Sequence, residues 1–463
     1  MKKNDTRVEE DSMGSIDVPK DAFYQAQTQR AVNNFVVSGR TMPAPFIRAL
    51  AMVKYCVAKV NVKLGLLDSH IAEAITESCE EVIANDYLHH FPVDVYQTGS
   101  GTSSNMNMNE VLATLATIKY GIVISPNDHV NMSQSSNDSV PTATQISVVL
   151  ECENTLFPAI NDIVAALETR EKDIGHIVKT GRTHLMDAMP VTFAQELVAW
   201  RRQIVFSKTC IEYGLCTVRQ LGQGGTAVGT GINADKQLPS LFATELSALT
   251  KTHFEPHPHP FNVMGSQESL VALSGQLRTL AVAIIKICND LRWMNSGPLA
   301  GLGEIELEGL QPGSSIMPGK VNPIIPESAA MAAVKVMGND VTIGIAGQSG
   351  NFELNVMLPL IADTLLESIM LMANSLSMLA SKAILSFKVR ESMLERTLAK
   401  NPILITALNP VIGYLKAAEI AQKAYREDRP IIDVALEETD LTRERLEALL
   451  NPFILTKGGI AGE

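Results

Sequence analysis

One stretch of this chain admits few folds. Between Ser269 and Trp293, apolar residues fall at Leu270, Leu273, Leu277, Leu280, Ile284, Ile287 and Leu291. Steps that alternate three and four are the period of a helix with one stripe kept buried over three heptads. Val271, Val282, Ile285 and Cys288 give the same stretch a second apolar face. A helix that is apolar on most sides belongs inside a bundle, away from the surface. Val191–Leu221 reads as another long helix, starting after Pro190. Helical patterns also cover roughly 140–174, 326–345 and 354–387, with kinks expected at Pro158 and Pro359. Five long helices, mostly antiparallel by connectivity, make a bundle about 40 Å long at about 1.5 Å per residue. The doubly apolar faces predict packing against other bundles, hence a homo-oligomer.

Three regions separate by pattern: 1–134 with short helical patterns and polar, Gly-rich stretches, 135–390 with the long helices, and 391–463 with short helices punctuated by prolines. A chain of 463 residues with 46% hydrophobic residues can build more than one domain and a large core. Charged residues are only 19%, so part of the surface is expected to be covered by other subunits. The net charge of -12 argues against nucleic acid and means that an anionic substrate must be attracted locally.

Cys56, Cys79, Cys152, Cys210, Cys216 and Cys288 form no CxxC pair and read as core thiols in a reducing compartment. His253, His257 and His259 are separated by Pro256 and Pro258 and read as a loop, so no metal site is expected. The opening MKKNDTRVEEDSMG lacks an apolar core, so it is not read as a signal peptide. The longest uncharged runs contain Asn, Ser or Pro and are expected to fall short of a membrane span. A cytoplasmic protein is the expectation.

Four polar segments interrupt the apolar chain: TGSGTSSNMNMNE (98–110), NDHVNMSQSSND (127–138), GRTHLMDA (181–188) and PGSSIMPGKVNP (312–323). Small hydroxyl and amide groups offer directional hydrogen bonds to a carboxylate without bulk. The same residues also favour turns and helix caps, and a lone His184 is more often structural than catalytic. The fourth segment is sharper. Gly313 and Gly319 bound a loop that can bring Ser314 or Ser315 to a substrate. Lys320 and Asn322 follow, and Pro323, Pro326 and Glu327 mark a helix start over which an anion is well placed. A mobile surface loop with a solvated lysine is the alternative that composition leaves open.

GSSIMPGKVNP resembles the signature of the fumarase/aspartase superfamily, and the likeness runs from RVEEDSMG through AQTQRAVNNF to TALNPVIGYLKAAEIA. That resemblance implies a mainly helical, three-domain subunit. Four subunits would pack their central helices into one tetrameric core, with each active site shared by three chains. Members eliminate a group from a succinyl unit to leave fumarate. GRTH with His184, GSGT followed by SNMN, and GNFELNV resemble the fumarase branch, which implies reversible hydration of fumarate to malate without a cofactor. VNPIIPE at 321–327 resembles the aspartase form, which keeps an aspartate ammonia-lyase as the alternative.

The resemblance also implies roles. Ser314 is the base, His184 the proton donor to the leaving hydroxyl, and Glu327 the group that orients it from a neighbouring subunit. Substrate contacts carry over to Ser100, Gly101, Thr102, Ser135, Ser136, Asn137, Thr183, Ser315, Lys320, Val321 and Asn322. A second dicarboxylate site of the family falls on Ser125, Pro126, Asn127 and Asp128. The family's histidine is missing there, so a turn between helices is the expectation. LGQGGTAVGTG at 221–231 lacks a GKS/T ending and a preceding strand, so it is not read as a nucleotide loop.

Overall fold

The computed structural model describes residues 5–84 and 87–460. The two lysines of the N-terminal stretch lie outside the described residues. Strands β1 (Thr6–Asp11) and β2 (Gly14–Pro19) open the chain as an antiparallel hairpin. Helices α1 (Ala26–Asn34), α2 (Ala44–Lys63), α3 (Ser69–Ala84) and α4 (Thr102–Tyr120) follow. Then come α5 (Ser136–Glu151), α6 (Phe157–Ile174) and the hairpin β3 (Val178–Thr183) and β4 (Met186–Thr192). The rest of the central region holds α7 (Phe193–Val218), α8 (Leu238–Thr250), α9 (Pro260–Gly265), α10 (Glu268–Met294), α11 (Ile324–Gly347) and α12 (Leu358–Leu379). Short helices close the chain, among them Tyr414–Glu427 and Ile431–Glu438.

The heptad of α10 is buried throughout: Leu270 is 1% exposed, and Leu273, Leu277, Leu280, Ile284, Ile287 and Leu291 are fully covered. Its second face is less covered, with Val282 exposed. The run expected at 140–174 is two helices joined by a π turn at Cys152–Leu156, just before Pro158. An extra residue per turn lets the chain pass the proline ring without breaking the helix. Pro359 does not kink its helix. It sits in the first turn of α12, where its missing N–H has no helical partner anyway.

Other expectations need correction. The N-terminal region carries helices of 20 and 19 residues, α2 and α4, and not only short ones. Their apolar positions are interleaved with buried Lys54, Asn61, Asn105 and Asn109, which blur the period. Cys210 is half-buried and Cys216 exposed, so only four of the six thiols are core. Glu268–Met294, Ile324–Gly347 and Leu358–Ile384 are long and apolar enough to cross a membrane by length and composition. Their scattered Asn and Ser residues are too few to dilute an 18-residue average.

The chain divides into two compact units. One comprises Met1–Pro158, Ser207–Ala281 and Ala333–Ala373; the other comprises Ala159–Phe206, Val282–Ala332 and Asn374–Glu463. In the first unit α2 packs on α3, α5 and α8, and α4 on α1 and α3. Glu110 of α4 accepts the backbone N–H groups of Gln25, Gln27 and Thr28 and so caps α1. In the second unit the closing helices gather on a core that includes Leu408, Ile420, Val434 and Leu446.

Candidate active site

The first and second polar segments meet inside one unit. Gly99 backs onto the carbonyl of Val356 so closely that a Cβ would lie 1.8 Å from its oxygen. Gly101 follows with φ +74°, which a side chain would resist, and turns the chain into α4. Ser100 Oγ lies 2.7 Å from Thr102 Oγ1, which lies 2.8 Å from Ser136 Oγ at the start of α5. Two helix N-termini therefore converge on one chain of hydroxyls, and both favour an anion there. Ser135 is the N-cap of α5, and its hydroxyl accepts from the Asn137 N–H at 3.2 Å. Asn137 Nδ2 donates to the Ala227 carbonyl at 2.9 Å and its Oδ1 faces the Ser136 hydroxyl at 3.5 Å, which leaves the second amide hydrogen available.

The third and fourth segments lie in the other unit. GRTHLMDA forms the turn of the β3–β4 hairpin, a strand pair that helical periodicity could not show. His184 (φ +55°) and Leu185 (φ +61°) occupy its two central positions. Two positive φ values make a type I′ turn, a geometry that favours Asn-Gly and strains His and Leu. His184 is presented outward at the tip, beside exposed Thr183. The hairpin is anchored by a buried carboxylate: Glu304, 2% exposed, pairs with Lys179 at 2.8 Å and with Arg182 at 2.7 Å. Glu304 precedes the fourth segment by a few residues, so one acid ties the GRTH strand to the root of the loop.

That loop closes on itself. The Gly313 N–H donates to the Lys320 carbonyl at 2.9 Å, and Asn322 Nδ2 donates to the Gly313 carbonyl at 2.6 Å. Ser314 Oγ accepts from the N–H groups of Ile316 at 3.2 Å and Met317 at 2.9 Å. Donors aimed at a hydroxyl oxygen favour its anionic form. A cavity of about 780 Å³ lies beside the loop, walled by Lys320, Val321, Asn322, Glu327, Arg292 and Arg390. Ser314 and Ser315 are not among its lining residues. Glu327 stands in the first turn of α11. Arg292 and Arg390 were not expected; only position in the fold reveals them.

The Ser125–Asp128 segment is a capped turn. Ser125 Oγ donates to Asp128 Oδ2 at 2.9 Å and accepts the Asp128 N–H at 3.1 Å. His129 Nδ1 accepts the Ser125 N–H at 3.0 Å. The Ser125 hydroxyl is thus engaged by Asp128, while Asn127 stays exposed. The glycine-rich loop does follow a strand, but only the two-residue Gln220–Leu221, paired with Glu255–Pro256. Among the described residues no cluster of three or more His, Cys, Asp or Glu is placed to hold a metal.

Sequence reasoning passed over Asp138, although SSND at 135–138 is a readable capping box. Lys54 had no such signal.

The fold is mainly helical, with long central helices, as in the helical lyases: residues 14–338 match the family described as Lyase. Residues 404–457 match the family described as Fumarase C C-terminus. The chain is 59% identical to fumarate hydratase class II 2 of Pseudomonas aeruginosa, over 98% of this chain and 100% of that one. It is 55% identical to a class II fumarate hydratase of Xylella fastidiosa, over 98% and 96%. The crystal structure of a class II fumarase from Schistosoma mansoni superposes with a TM-score of 0.94 at 36% identity, covering 97% of this chain and 99% of that one. The chain belongs to the class II fumarate hydratase family.

Proposed function

We propose that this protein hydrates fumarate reversibly to (S)-malate. The observation that carries the reading is the junction of α4 and α5, where Ser100, Thr102 and Ser136 align their hydroxyls over two helix N-termini. In a protein of net charge -12 this is local, neutral recognition of a carboxylate. Relatives that share nearly the whole chain bear the name of that activity.

In the malate direction, Ser314 as alkoxide takes the C3 proton. The electron pair moves into the adjacent carboxylate as a dianionic aci-carboxylate. Lys320 and Asn322, with Ser315 and the Val321 backbone, stabilise that charge, which develops only in the transition state. His184, acting through a water, gives its proton to the C2 hydroxyl, which leaves as water. Glu327 orients His184 from a neighbouring subunit. Thr183, Ser135, Asn137 and Gly101 complete the grip on the dicarboxylate. Ser125–Asp128 serves as a turn.

The exposed positions of His184, Ser315 and Lys320 support completion of the site by other chains, in a homotetramer with each site shared by three subunits. The three-region division at 134 and 390 and a cytoplasmic location belong to the same reading. The test is a paired assay on purified protein without added metal, following fumarate from malate in one sample and from aspartate in the other. Malate turnover that Ser314→Ala abolishes supports the reading. Aspartate turnover instead would make VNPIIPE the deciding segment and the protein an ammonia-lyase.

A further inference from the structure

We infer that Asp138 is a positioning residue that fixes Ser136 and Asn137 for the substrate carboxylate by tying the start of α5 to the glycine-rich loop 222–227. The inference rests on the proposed function for what Ser136 and Asn137 bind.

Asp138 is fully buried, so it cannot itself touch substrate. Its Oδ1 accepts from the Ser135 N–H at 3.0 Å and the Ser139 hydroxyl at 3.2 Å. A capping box needs no more than the first of these. Its Oδ2 accepts from Gln223 Nε2 at 3.2 Å, the Gly224 N–H at 3.0 Å and the Thr226 N–H at 2.9 Å. These donors come from a loop 85 to 88 residues further along the chain.

The loop is bent to reach that one carboxylate. Gly224 has φ +95°, and a Cβ there would meet Pro239 at 2.7 Å. Thr226 holds φ +54° without being glycine. Strained backbone of this kind persists only where its surroundings hold it. The next residue, Ala227, offers its carbonyl to Asn137 Nδ2. The connection is thus a closed circuit: Asp138 holds the loop, and the loop orients the side chain next to Asp138. Ser136, on the other side of Asn137, is set against Thr102 by the same turn of α5.

The circuit has a buried support. Lys54 of α2 is fully covered and donates to Asn105 Oδ1 at 2.7 Å, Gln134 Oε1 at 3.0 Å and Asn131 Oδ1 at 3.2 Å. Ser139 Oγ lies between Gln134 Oε1 at 3.4 Å and Asp138 Oδ1 at 3.2 Å. Burial disfavours the charged forms of both groups, and the field of Asp138 opposes that effect on Lys54. Polar groups this expensive to bury are kept in place by their hydrogen bonds, and removing a partner leaves one of them unsatisfied.

The test uses the full-length protein with Asp138→Asn, Asn137→Ala and the double variant. Asparagine keeps the shape of Asp138 but aims an N–H at the donors of Gly224 and Thr226. Each single variant is expected to raise KM for malate about tenfold with kcat within about threefold, and the double variant to be no worse than the poorer single. Amide exchange should quicken at 134–138 and 222–227 in Asp138→Asn and not elsewhere. Multiplying KM effects, or unaltered KM and exchange in Asp138→Asn, would overturn the inference. Should Asp138→Asn not fold, Gln223→Met removes one donor to the same oxygen; an unchanged KM there overturns the inference, and a rise of about threefold that Asn137→Ala does not deepen supports it. Wild-type protein that leaves malate and fumarate untouched would end the functional reading alone, and the exchange measurement would still decide whether Asp138 positions the segment.

Discussion

Ser314, proposed as the base from the family resemblance, has two N–H groups, those of Ile316 and Met317, turned onto its hydroxyl oxygen. Ser314→Ala removes the proposed base without opening the neck of the loop, which Gly313, Lys320 and Asn322 hold among themselves. The expected result is a fall in kcat of about 10²–10⁴-fold with the protein folded, read by steady-state assay and circular dichroism. Lys54 gives a second prediction at this scale. Burial brings its pKa down to about 7 from an ordinary 10.5, with the acid of Asp138 and the thiol of Cys79 pulling weakly the other way. Between those two values the unfolded chain holds a proton that the folded chain has lost, so the Lys54 contribution to stability rises with pH across that window. Lys54→Met abolishes that contribution. Relative to the variant, wild-type stability should climb between pH 7.5 and 9 by as much as about 1.4 kcal/mol per pH unit, measured by urea unfolding at each pH. A parallel pair of curves would refute it.

Among the elements, the β3–β4 hairpin shows why a sequence yields some parts and withholds others. The α10 heptad was legible because seven apolar residues repeat a period that only a buried helix satisfies. GRTHLMDA has no strand alternation and no Asn-Gly, yet the chain there adopts a type I′ turn with His184 and Leu185 at positive φ. What enforces the turn is tertiary: the Lys179–Glu304–Arg182 cluster and the Asn401 side chain bonded to the Ala188 carbonyl. The residues of the four polar segments could be named from their chemistry, but not which segments meet. The Ser100–Thr102–Ser136 chain joins residues whose spacing carries no period. The strain in the turn is itself testable. Leu185→Gly replaces a side chain that resists φ +61° with a residue that accepts it, and should stabilise the protein by about 1 kcal/mol. The freer turn should hold His184 less firmly, so kcat should fall several-fold as the melting temperature rises. A rise in both would mean that the strained turn contributes nothing to catalysis.

At the scale of the whole molecule, the chain alone leaves apolar surface uncovered. On α11, Val334, Val341 and Ile345 are 60%, 61% and 57% exposed, and Gly338 between them faces open space. Their steps of four, three and four lie on one side of a helix, the same period that buries α10. Such a stripe is tolerable in water only when a partner covers it. A lipid bilayer would suit an apolar helix equally, since α11 has the length and composition of a span. However, Lys335 of the same helix is held between Asn339 and Glu367, charges and amides that water or a protein interface accommodates more readily than hydrocarbon. A second copy of the chain is the better cover, in keeping with the tetramer proposed above. Val341→Lys places a charge in the middle of the stripe and touches no proposed site residue. If the stripe is the seam, native mass spectrometry should show the wild-type protein at four times the 50.1 kDa chain mass and the variant as smaller species. Activity should fall with the assembly, because His184, exposed on its hairpin, would lose the subunit carrying the Glu327 proposed to orient it. A variant that dissociates yet keeps wild-type kcat would show that each chain holds a complete site.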